Sequence, residues 1–409
     1  MEKSRKPKIR FKGFTDDWEQ RKLVELLTKY TDEVNVPHNG YERLGIRSHA
    51  KGTFHSYVSE GHELQTGKMH KVAADKFIVN ITFGWEHAVA VTDKNDAGKL
   101  VSHRFPQYSL SENLYSKFFK YIILDDKFKH HLWLSSPGGA GRNRVLKLDE
   151  MLEYKIKIPN VQEQQKIAEV LMDLDHLITL HQRKLDKLVN VKKSMLEKMF
   201  PQQGSRIPEI RFCGFTDDWE QRELGDLGSL KNGMNFSKDA MGHGSAFVNL
   251  QNIFGNNVVD AKSLGLAEAS EKQLLDYSLQ KGDVLFVRSS VKLEGVGETA
   301  LVAENLENTT YSGFIIRFRD EYGLNNDFKK FVFATKKGRD QIMSQATNSA
   351  NKNISQSVLE NLTLKIPSKD EQKLIGYYLS TLERLITLHQ RKLEKLKNIK
   401  KSMLEKMFI

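Results

Sequence analysis

The sequence predicts an α+β protein in which two mixed α/β domains are separated by a long antiparallel two-helix coiled coil. Two repeats predict this architecture. Residues 161–200 return 208 residues later as residues 369–408, and the segments LITLHQRKL and KKSMLEKMF are identical in both copies. The segment IRFKGFTDDWEQR at residues 9–21 returns at 210–222 with a single substitution. Because repeats of this length do not arise by chance, the chain is an internal duplication, and we expect pseudo-two-fold symmetry between its halves.

The longer repeat predicts a coiled-coil helix in each half. One set of positions recurs at alternating steps of four and three residues for about five heptads, which is typical of a coiled-coil seam. About 38 residues per helix give a length of roughly 57 Å. Two long seams in one chain most simply pack against each other. The first copy of the seam consists of Ile167, Leu171, Leu174, Ile178, His181, Leu185, Leu188, Lys192, Met195 and Met199.

The middle of each seam carries a histidine, His181 in the first helix and His389 in the second. An antiparallel pairing would bring the two histidines together near a local two-fold axis. One interpretation is a polar pair that fixes the register of the coiled coil. The other is that both side chains lie at the edge of the seam with their tips in water. The sequence leaves both interpretations open.

The repeats divide the chain into five segments. We expect a first domain at residues 1–160, a central helix at 161–200, a linker at 201–209, a second domain at 210–368 and a C-terminal helix at 369–409. The linker follows from the two prolines and the glycine in PQQGSRIPE. Asp16 and Asp17, with their copies in the second half, are predicted to cap a helix that starts at Trp18. Trp18 and its copy Trp219 are predicted core residues.

The regions between the repeats, residues 22–142 and 223–350, have little similarity to each other and predict many short strands. Runs of β-branched and aromatic residues indicate the strands. These runs are residues 76–83, 87–93, 282–290, 298–304 and 312–318. Short helices are expected at 113–123 and 327–334.

Composition limits the class of protein. The net charge of +11 favours a polyanionic partner, most often nucleic acid, although charge alone is a weak signal. The single cysteine, Cys213, excludes a disulfide within the chain and a cysteine zinc site. No apolar run approaches the length of a membrane span, and the basic N-terminal segment has no signal-peptide core. We therefore expect a cytoplasmic protein that makes no contact with a membrane.

A search for catalytic motifs finds none that holds. GHELQTGKM at residues 61–69 resembles a phosphate-binding loop, but its spacing is one residue too long, and Met69 replaces the Ser or Thr that would bind magnesium. No dinucleotide fingerprint, metal-ligand spacing or nucleophile elbow is present. We predict no catalytic residues and no metal site in this chain.

Several loops place Arg, Lys, Asn and Ser beside glycine, the residue types that contact bases and phosphates. Each loop taken alone also fits an ordinary solvated loop. Arg144 and Lys352 align in the two halves, which favours a phosphate contact for both over base reading. The candidate DNA-binding residues are Arg47, Ser48, His49, Lys51, Arg142, Asn143, Arg144, Asn235, Lys238, Arg288, Ser289, Lys292, Asn351, Lys352 and Asn353.

This organisation resembles the specificity subunit of type I restriction–modification enzymes over essentially the whole chain. The resemblance rests on IPNVQEQQKIAEVLMDLDHLI at residues 158–178, on IPSKDEQKLIGYYLSTLERLI at 366–386 and on the two GFTDDWEQR segments. It implies that each variable region is a target-recognition domain for one half of an asymmetric, bipartite site in double-stranded DNA. It also implies that the paired helices set the spacing of the half-sites and dock two methylation subunits.

The resemblance assigns the chemistry to partner subunits. Methylation subunits would bring S-adenosylmethionine, a restriction subunit would bring ATP and Mg²⁺, and this chain would bind no cofactor and be non-catalytic. The apolar helix ends, Met195, Met199 and Phe200 with their copies, either close the coiled coil against the neighbouring domains or contact the methylation subunits.

Two rival hypotheses remain from the sequence. The first is a duplicated coiled-coil adaptor that binds proteins and has no DNA specificity; the salt dependence of binding would distinguish it, because phosphate contacts weaken steeply with salt. The second is a self-sufficient nuclease or methyltransferase, which activity of the isolated chain with cofactors would reveal.

Overall fold

A computed structural model describes residues 6–64, 67–138, 144–202, 204–347 and 352–408. The chain forms two compact units. Unit 1 comprises Met1–His181 and Lys392–Ile409, and unit 2 comprises Gln182–Arg391. Each unit therefore contains one variable region together with a segment of both long helices. No helix within the described ranges is long and apolar enough to cross a membrane.

Unit 1 contains eleven strands and four short helices in its described residues. The strands are β1 (Glu19–Lys22), β2 (Leu27–Tyr30), β3 (Glu33–Asn35), β4 (Tyr41–Ile46), β5 (Thr53–Val58), β6 (Lys68–Lys71), β7 (Lys76–Val79), β8 (Val89–Val91), β9 (Leu100–Val101), β10 (Gln107–Leu110) and β11 (Lys155–Ile158). The short helices are α1 (Leu23–Leu26), α2 (Ser116–Ile122), α3 (Asp126–Leu134) and α4 (Leu148–Leu152). The first long helix, α5 (Val161–Lys198), follows them.

The core of unit 1 lies between a four-stranded antiparallel sheet and its helices. The sheet order is β2-β10-β7-β8, and a five-stranded sheet, β3-β6-β9-β4-β5, extends the unit. Phe77 in β7 is fully buried and contacts Phe119 of α2 edge-on at a centroid distance of 5.4 Å. Aromatic residues of α2 thus cover the β-branched face of the sheet.

Unit 2 repeats the same plan. Its strands are β12 (Glu220–Glu223), β13 (Gly228–Asn232), β14 (Met241–Val248), β15 (Gly265–Ala267), β16 (Val284–Val287), β17 (Ser289–Ser290), β18 (Thr299–Leu301), β19 (Thr309–Tyr311), β20 (Ile315–Asp320), β21 (Lys352–Asn353) and β22 (Thr363–Ile366). Its helices are α6 (Leu224–Leu227), α7 (Glu271–Asp276), α8 (Asn326–Val332), α9 (Lys336–Gln345), α10 (Gln356–Glu360) and the long α11 (Lys369–Met407).

The four-stranded sheet of unit 2 has the order β13-β20-β16-β18, equivalent strand for strand to β2-β10-β7-β8. Two further small sheets, β15-β14-β19 and β17-β21, are specific to this unit's described residues. The predicted strand runs at 76–83, 87–93, 282–290, 298–304 and 312–318 contain β7, β8, β16 with β17, β18 and β20. Each strand begins later or ends earlier than its run, and residues 81–83 form a turn. The predicted short helices are confirmed as α2 and α8.

The shorter repeat forms a strand where the sequence predicts a helix. The residues after Trp18 and Trp219 form β1 and β12, which pair antiparallel with β11 and β22. The predicted helix at Trp18 is therefore wrong, and Asp16 and Asp17 precede a strand. The Glu, Gln, Arg and Lys residues of this segment favour helices locally, but pairing with a distant strand overrides that preference. Trp18 and Trp219 are buried in the two cores, as predicted.

The ends of the long helices pack into the cores. Phe408 stacks on Phe118 of α2 at 5.4 Å, and Phe200 stacks on Phe328 of α8 at 5.7 Å. Met199 and Met407 are buried. These contacts support the interpretation that the helix ends close against the domains. Within unit 1, α5 and α11 are joined by an ion pair between Asp175 and Lys400 (2.6 Å).

The remaining seam positions are buried or half-buried throughout α5 and α11. His389 is buried and His181 half-buried. A role for these two histidines in fixing the register stays a prediction.

Candidate nucleic-acid interface

The segment that leaves β7 is held by a short ladder of main-chain hydrogen bonds. The N–H of Ile81 donates to the carbonyl of Arg104 (3.0 Å), and the N–H of Leu146 donates to the carbonyl of Ile81 (2.9 Å). Three segments that are distant in sequence thus meet at one edge of unit 1: the end of the central strand, the loop before β10 and the junction that precedes α4.

Unit 2 builds the same ladder from different residues. The N–H of Arg288 donates to the carbonyl of Phe314 (2.7 Å), and the N–H of Ile354 donates to the carbonyl of Arg288 (2.9 Å). Ile81 and Arg288 are therefore structurally equivalent, as are Arg104 and Phe314. We call the exposed and half-buried side chains around this ladder the junction surface. In unit 1 it consists of Thr82, Phe83, Arg104, Arg144 and Val145; in unit 2 it consists of Ser289, Ser290, Phe314, Lys352 and Asn353.

The junction surface of unit 1 is cationic and aromatic. The guanidinium of Arg144 lies 4.8 Å above the ring of Trp133, which is 45% exposed and stacks on His130. Arg104 donates to the hydroxyl of Thr82 (3.3 Å). The flat, cationic face that results suits stacking on a base or contact with a phosphate.

The junction surface of unit 2 is richer in small polar groups. Ser289 pairs with Asn353, and Ser290 pairs with Lys352, across the β17–β21 ladder. The side chain of Arg288 donates to the carbonyl of Gly313 (3.3 Å). Hydroxyl, amide and ammonium groups together can donate to and accept from base edges.

Asn235 joins this surface because its side-chain oxygen lies so close to Gly313 that a Cβ there would be 2.1 Å away. A side chain at position 313 would push the Asn235 amide away from this place. The N–H of Lys292 donates to the hydroxyl of Ser290 (3.2 Å), and the Lys292 side chain is exposed at the rim.

Most of the predicted residues of unit 2 are therefore brought together. Lys238 lies apart from the ladder, in the 3₁₀ turn Lys238–Ala240 beside β14. Arg142, Asn143 and Asn351 lie outside the described residues. The residues brought together on or beside the junction surface are Asn235, Arg288, Ser289, Lys292, Lys352 and Asn353.

The predicted loop of unit 1 is the tip of the β4–β5 hairpin. The hydroxyl of Ser48 donates to the carboxylate of Glu86 (2.5 Å), and the N–H of His49 donates to the carbonyl of the same residue (2.8 Å). Arg47 donates to the Thr53 carbonyl across the tip and lies over the ring of Phe54 (5.3 Å). The N–H of Glu86 donates to the carbonyl of Phe83 (3.0 Å), so the hairpin tip borders the junction surface.

Lys51 at the same tip is exposed. His87 ends the turn that contains Glu86, and its imidazole donates to the carbonyl of Ile123 (2.7 Å). Burial lowers the pKa of His87, so the ring is neutral near pH 7.

Sequence reasoning missed Arg104, Trp133 and Phe314. The sequence search followed Arg, Lys, Asn and Ser beside glycine, and it did not include Trp133 and Phe314, which are aromatic, or Arg104, which has no glycine beside it. Across the described ranges, no cluster of His, Cys, Asp and Glu side chains is arranged to hold a metal ion.

The chain matches the model of a known protein family. The model described as Type I restriction modification DNA specificity domain matches residues 15–190 and 216–398. The chain is 24% identical over 306 residues to the type I restriction enzyme MjaVIII specificity subunit of Methanocaldococcus jannaschii, covering 69% of this chain and 68% of that one. It is 26% identical over 191 residues to the EcoKI specificity subunit of Escherichia coli K12, covering 44% and 40%.

A solved structure has the same fold. The type I restriction–modification S subunit from M. genitalium superposes with a TM-score of 0.52 at 14% identity, covering 99% of both chains. At this identity the likeness concerns the fold alone. It extends over both variable regions and both long helices, and the duplicated plan of this chain is therefore shared with that protein.

Proposed function

The chain belongs to the family of type I restriction–modification DNA specificity domains, and we infer that each of its two variable regions reads one half of a bipartite site in double-stranded DNA. Recognition of DNA is the role of a specificity subunit, and catalysis lies in its partner subunits. All the curated relatives named above are specificity subunits, which gives the adaptor hypothesis no support.

The observation that carries this inference is the repeated ladder with unlike side chains. Ile81 and Arg288 hold equivalent main-chain positions, yet one junction surface is cationic and aromatic and the other is hydroxyl- and amide-rich. A common frame with variable side chains is what two readers of different half-sequences require. The two half-sites are therefore unrelated in sequence, and the whole site is asymmetric.

Arg144 and Lys352 have a different role from their neighbours. They align in the repeated junctions, where both halves keep a cation at the same place. A cation common to both readers suits the phosphate backbone, which is the same in both half-sites, better than a base edge. Arg288, Ser289, Asn353 and Asn235 are the proposed base-contacting residues of unit 2, and the Arg47–Lys51 hairpin borders the proposed reader of unit 1.

The long helices α5 and α11 form an antiparallel coiled coil that sets the distance between the half-sites. The heptad seam and the ion pairs between the two helices support this assignment. The exposed faces of the coiled coil dock two methylation subunits, which supply S-adenosylmethionine, and a restriction subunit adds ATP and Mg²⁺. Within this chain, the recognition surfaces need only to bind and orient DNA.

Exchange of one variable region tests this function. Residues 22–142 are replaced by the equivalent region of another family member, and the chimera is expressed with the native methylation subunit. The methylated motif is then read by sequencing. We expect one half of the motif to change and the other half and the spacer to stay. Changes in both halves, or in neither while methylation continues, would contradict the assignment of one half-site to each variable region.

A further inference from the structure

Two lysines occupy positions of the heptad seam at which apolar residues are usual. Lys192 and Lys400 are equivalent in the two repeats, and each side chain is only 22% exposed. In unit 1, the ammonium of Lys400 lies 2.6 Å from Asp175; in unit 2, that of Lys192 lies 2.5 Å from Glu383. Each pair joins α5 to α11 within its own unit.

Each pair also contacts an aromatic residue of the variable region. In unit 1, the ammonium of Lys400 lies 5.6 Å from the ring of Tyr121 in α2, and the Tyr121 hydroxyl donates to Asp175 (2.9 Å). In unit 2, the ammonium of Lys192 lies 5.7 Å from the ring of Phe331 in α8. We call Asp175, Lys400 and Tyr121 the seam triad of unit 1, and Glu383, Lys192 and Phe331 the seam triad of unit 2.

The triad of unit 2 has additional donors from the recognition region. Lys330 lies 3.3 Å from the second oxygen of Glu383, and the side-chain amide of Asn257 also donates to this carboxylate. Both units therefore join three elements at one polar point: the two long helices and the variable region beside them.

An apolar heptad seam does not by itself define one register, because a slip of seven residues again places apolar side chains on apolar side chains. The triads remove this ambiguity. After such a slip, Asp175 would face Leu393 or Met407 in place of Lys400. Glu383 would likewise face Leu185 or Met199 in place of Lys192. A half-buried carboxylate that loses its cationic partner lowers the stability of the fold. The native pair, by contrast, adds little net stability.

We propose that the two seam triads select the register of α5 against α11 and thereby fix the spacer length that the chain accepts between its half-sites. The inference rests on the proposed function, since the spacer exists only if both variable regions bind DNA. Asp175, Lys192, Glu383 and Lys400 are positioning residues in this scheme. A slip of one heptad moves the helix starts by roughly 10 Å, or about three base pairs.

The decisive variant removes both lysines from the seam: Lys192→Met together with Lys400→Met in the full chain, co-expressed with its methylation subunit. Met suits a seam position, but Asp175 and Glu383 lose an ammonium partner, so we expect thermal unfolding at a somewhat lower temperature. The chain should still fold, because Glu383 keeps Lys330 and Asp175 keeps the Tyr121 hydroxyl. Methylation is measured on DNA with the native spacer and with spacers about three base pairs shorter and longer. The preference for the native spacer is expected to fall about tenfold, the equivalent of about 1.4 kcal/mol.

Charge reversal in unit 1 provides a rescue. Asp175→Lys alone places two ammonium groups together and should widen the accepted spacers, and Asp175→Lys with Lys400→Asp should restore the native preference. Unit 1 is chosen because Glu383 also pairs with Lys330, which a reversal in unit 2 would repel. Asp186→Lys, an equal change of charge at an exposed position of α5, should leave the spacer preference unchanged.

The outcomes separate this inference from the proposed function. If the double methionine variant methylates the native motif and keeps its full spacer preference, the triads do not select the register. The same conclusion follows if the swapped pair is no better than Asp175→Lys alone. If the unmodified chain directs no bipartite methylation at all, the proposed function itself fails.

Discussion

At the scale of single residues, a substitution of Lys352 on the junction surface can distinguish a phosphate contact from a base contact. If Lys352 contacts a phosphate, Lys352→Gln should weaken binding equally for all sequences and reduce the salt slope of log K by about one. The recognised motif should not change. Binding of the reconstituted methylation complex to its motif, titrated at several salt concentrations, measures both quantities.

Lys373→Gln, at an exposed position in the first turns of α11, is the matched control and should leave the slope unchanged. A relaxed base preference in the Lys352 variant would instead identify this lysine as a base reader.

His87 gives unit 1 a pH-dependent stability. Burial lowers its pKa in the folded chain below the ordinary 6.5, so the unfolded chain binds more protons near and below that pH. Stability from this group is present above pH 6.5 and is lost as pH falls toward the folded pKa. His87→Asn should flatten this dependence in urea unfolding of the full chain, with the left-handed backbone at position 87 (φ 62°) favouring asparagine.

The exposed His103 serves as the control: His103→Asn should retain the pH dependence of the native chain. An unchanged slope in the His87 variant would show that other groups cause the loss of stability.

Single residues of the interface were only partly predictable. Loops rich in Gly, Asn, Ser and Arg indicated Arg288, Ser289 and Asn353, because these residue types suit base contacts wherever they are exposed. Arg104 and Trp133 gave no such signal. They reach the junction surface through a main-chain ladder and a cation–π contact that join segments far apart in sequence. Local composition does not predict such contacts.

At the scale of elements, the close approach of α11 to α8 depends on a glycine. A Cβ at Gly376 would lie 2.7 Å from both the Cβ of Asp327 and the main-chain nitrogen of Phe328. Gly376→Ala should therefore force the helices apart, at a cost of about 1–3 kcal/mol. The higher helix propensity of Ala returns about 1 kcal/mol or less, so we expect a net loss of stability in unit 2.

Chemical denaturation measures this loss, and Thr387→Ala on the exposed face of α11 should change the free energy of unfolding by no more than about 0.5 kcal/mol. The equivalent residue of unit 1 is Ala168, which is fully buried. If the Gly376→Ala variant were more stable than the native chain, α8 would have to move to make room for the methyl group.

Helices and strands could be predicted where a local sequence pattern indicates them. The heptad period gave α5 and α11, and the β-branched runs gave β7, β8, β16, β18 and β20. The sheet order was not predictable, because strands such as β2 and β10 pair across long stretches of sequence. The helix wrongly predicted at Trp18 has the same cause: β1 is defined by its partner β11 rather than by the helix preference of its own residues.

At the scale of the whole molecule, the length of the coiled coil should determine the DNA spacer. Inserting one heptad at equivalent central positions of both α5 and α11 lengthens the pair by roughly 10 Å. The methylated motif should then keep both half-sequences while the spacer grows by about three base pairs.

Inserting the heptad in α5 alone leaves one helix unmatched and should abolish or strongly reduce methylation. A doubly extended chain that still methylates the native spacer would rule out the helices as the determinant of spacing.

The duplicated organisation of the molecule was evident from the sequence because the repeats are nearly identical. The common ladder inside the two variable regions was not, since unlike side chains build it. The sequence therefore indicated two halves with different variable regions, and the structure brings most of the candidate residues of unit 2 together on or beside one surface.

The most direct measurement of the central claim is methylome sequencing of a host that expresses this chain with its cognate methylation subunit, compared with the same host lacking the chain. The account predicts a bipartite, asymmetric motif with methylated adenines that disappears when the chain is deleted. An identical methylome in both hosts, with the methylation subunit shown to be active, would contradict it.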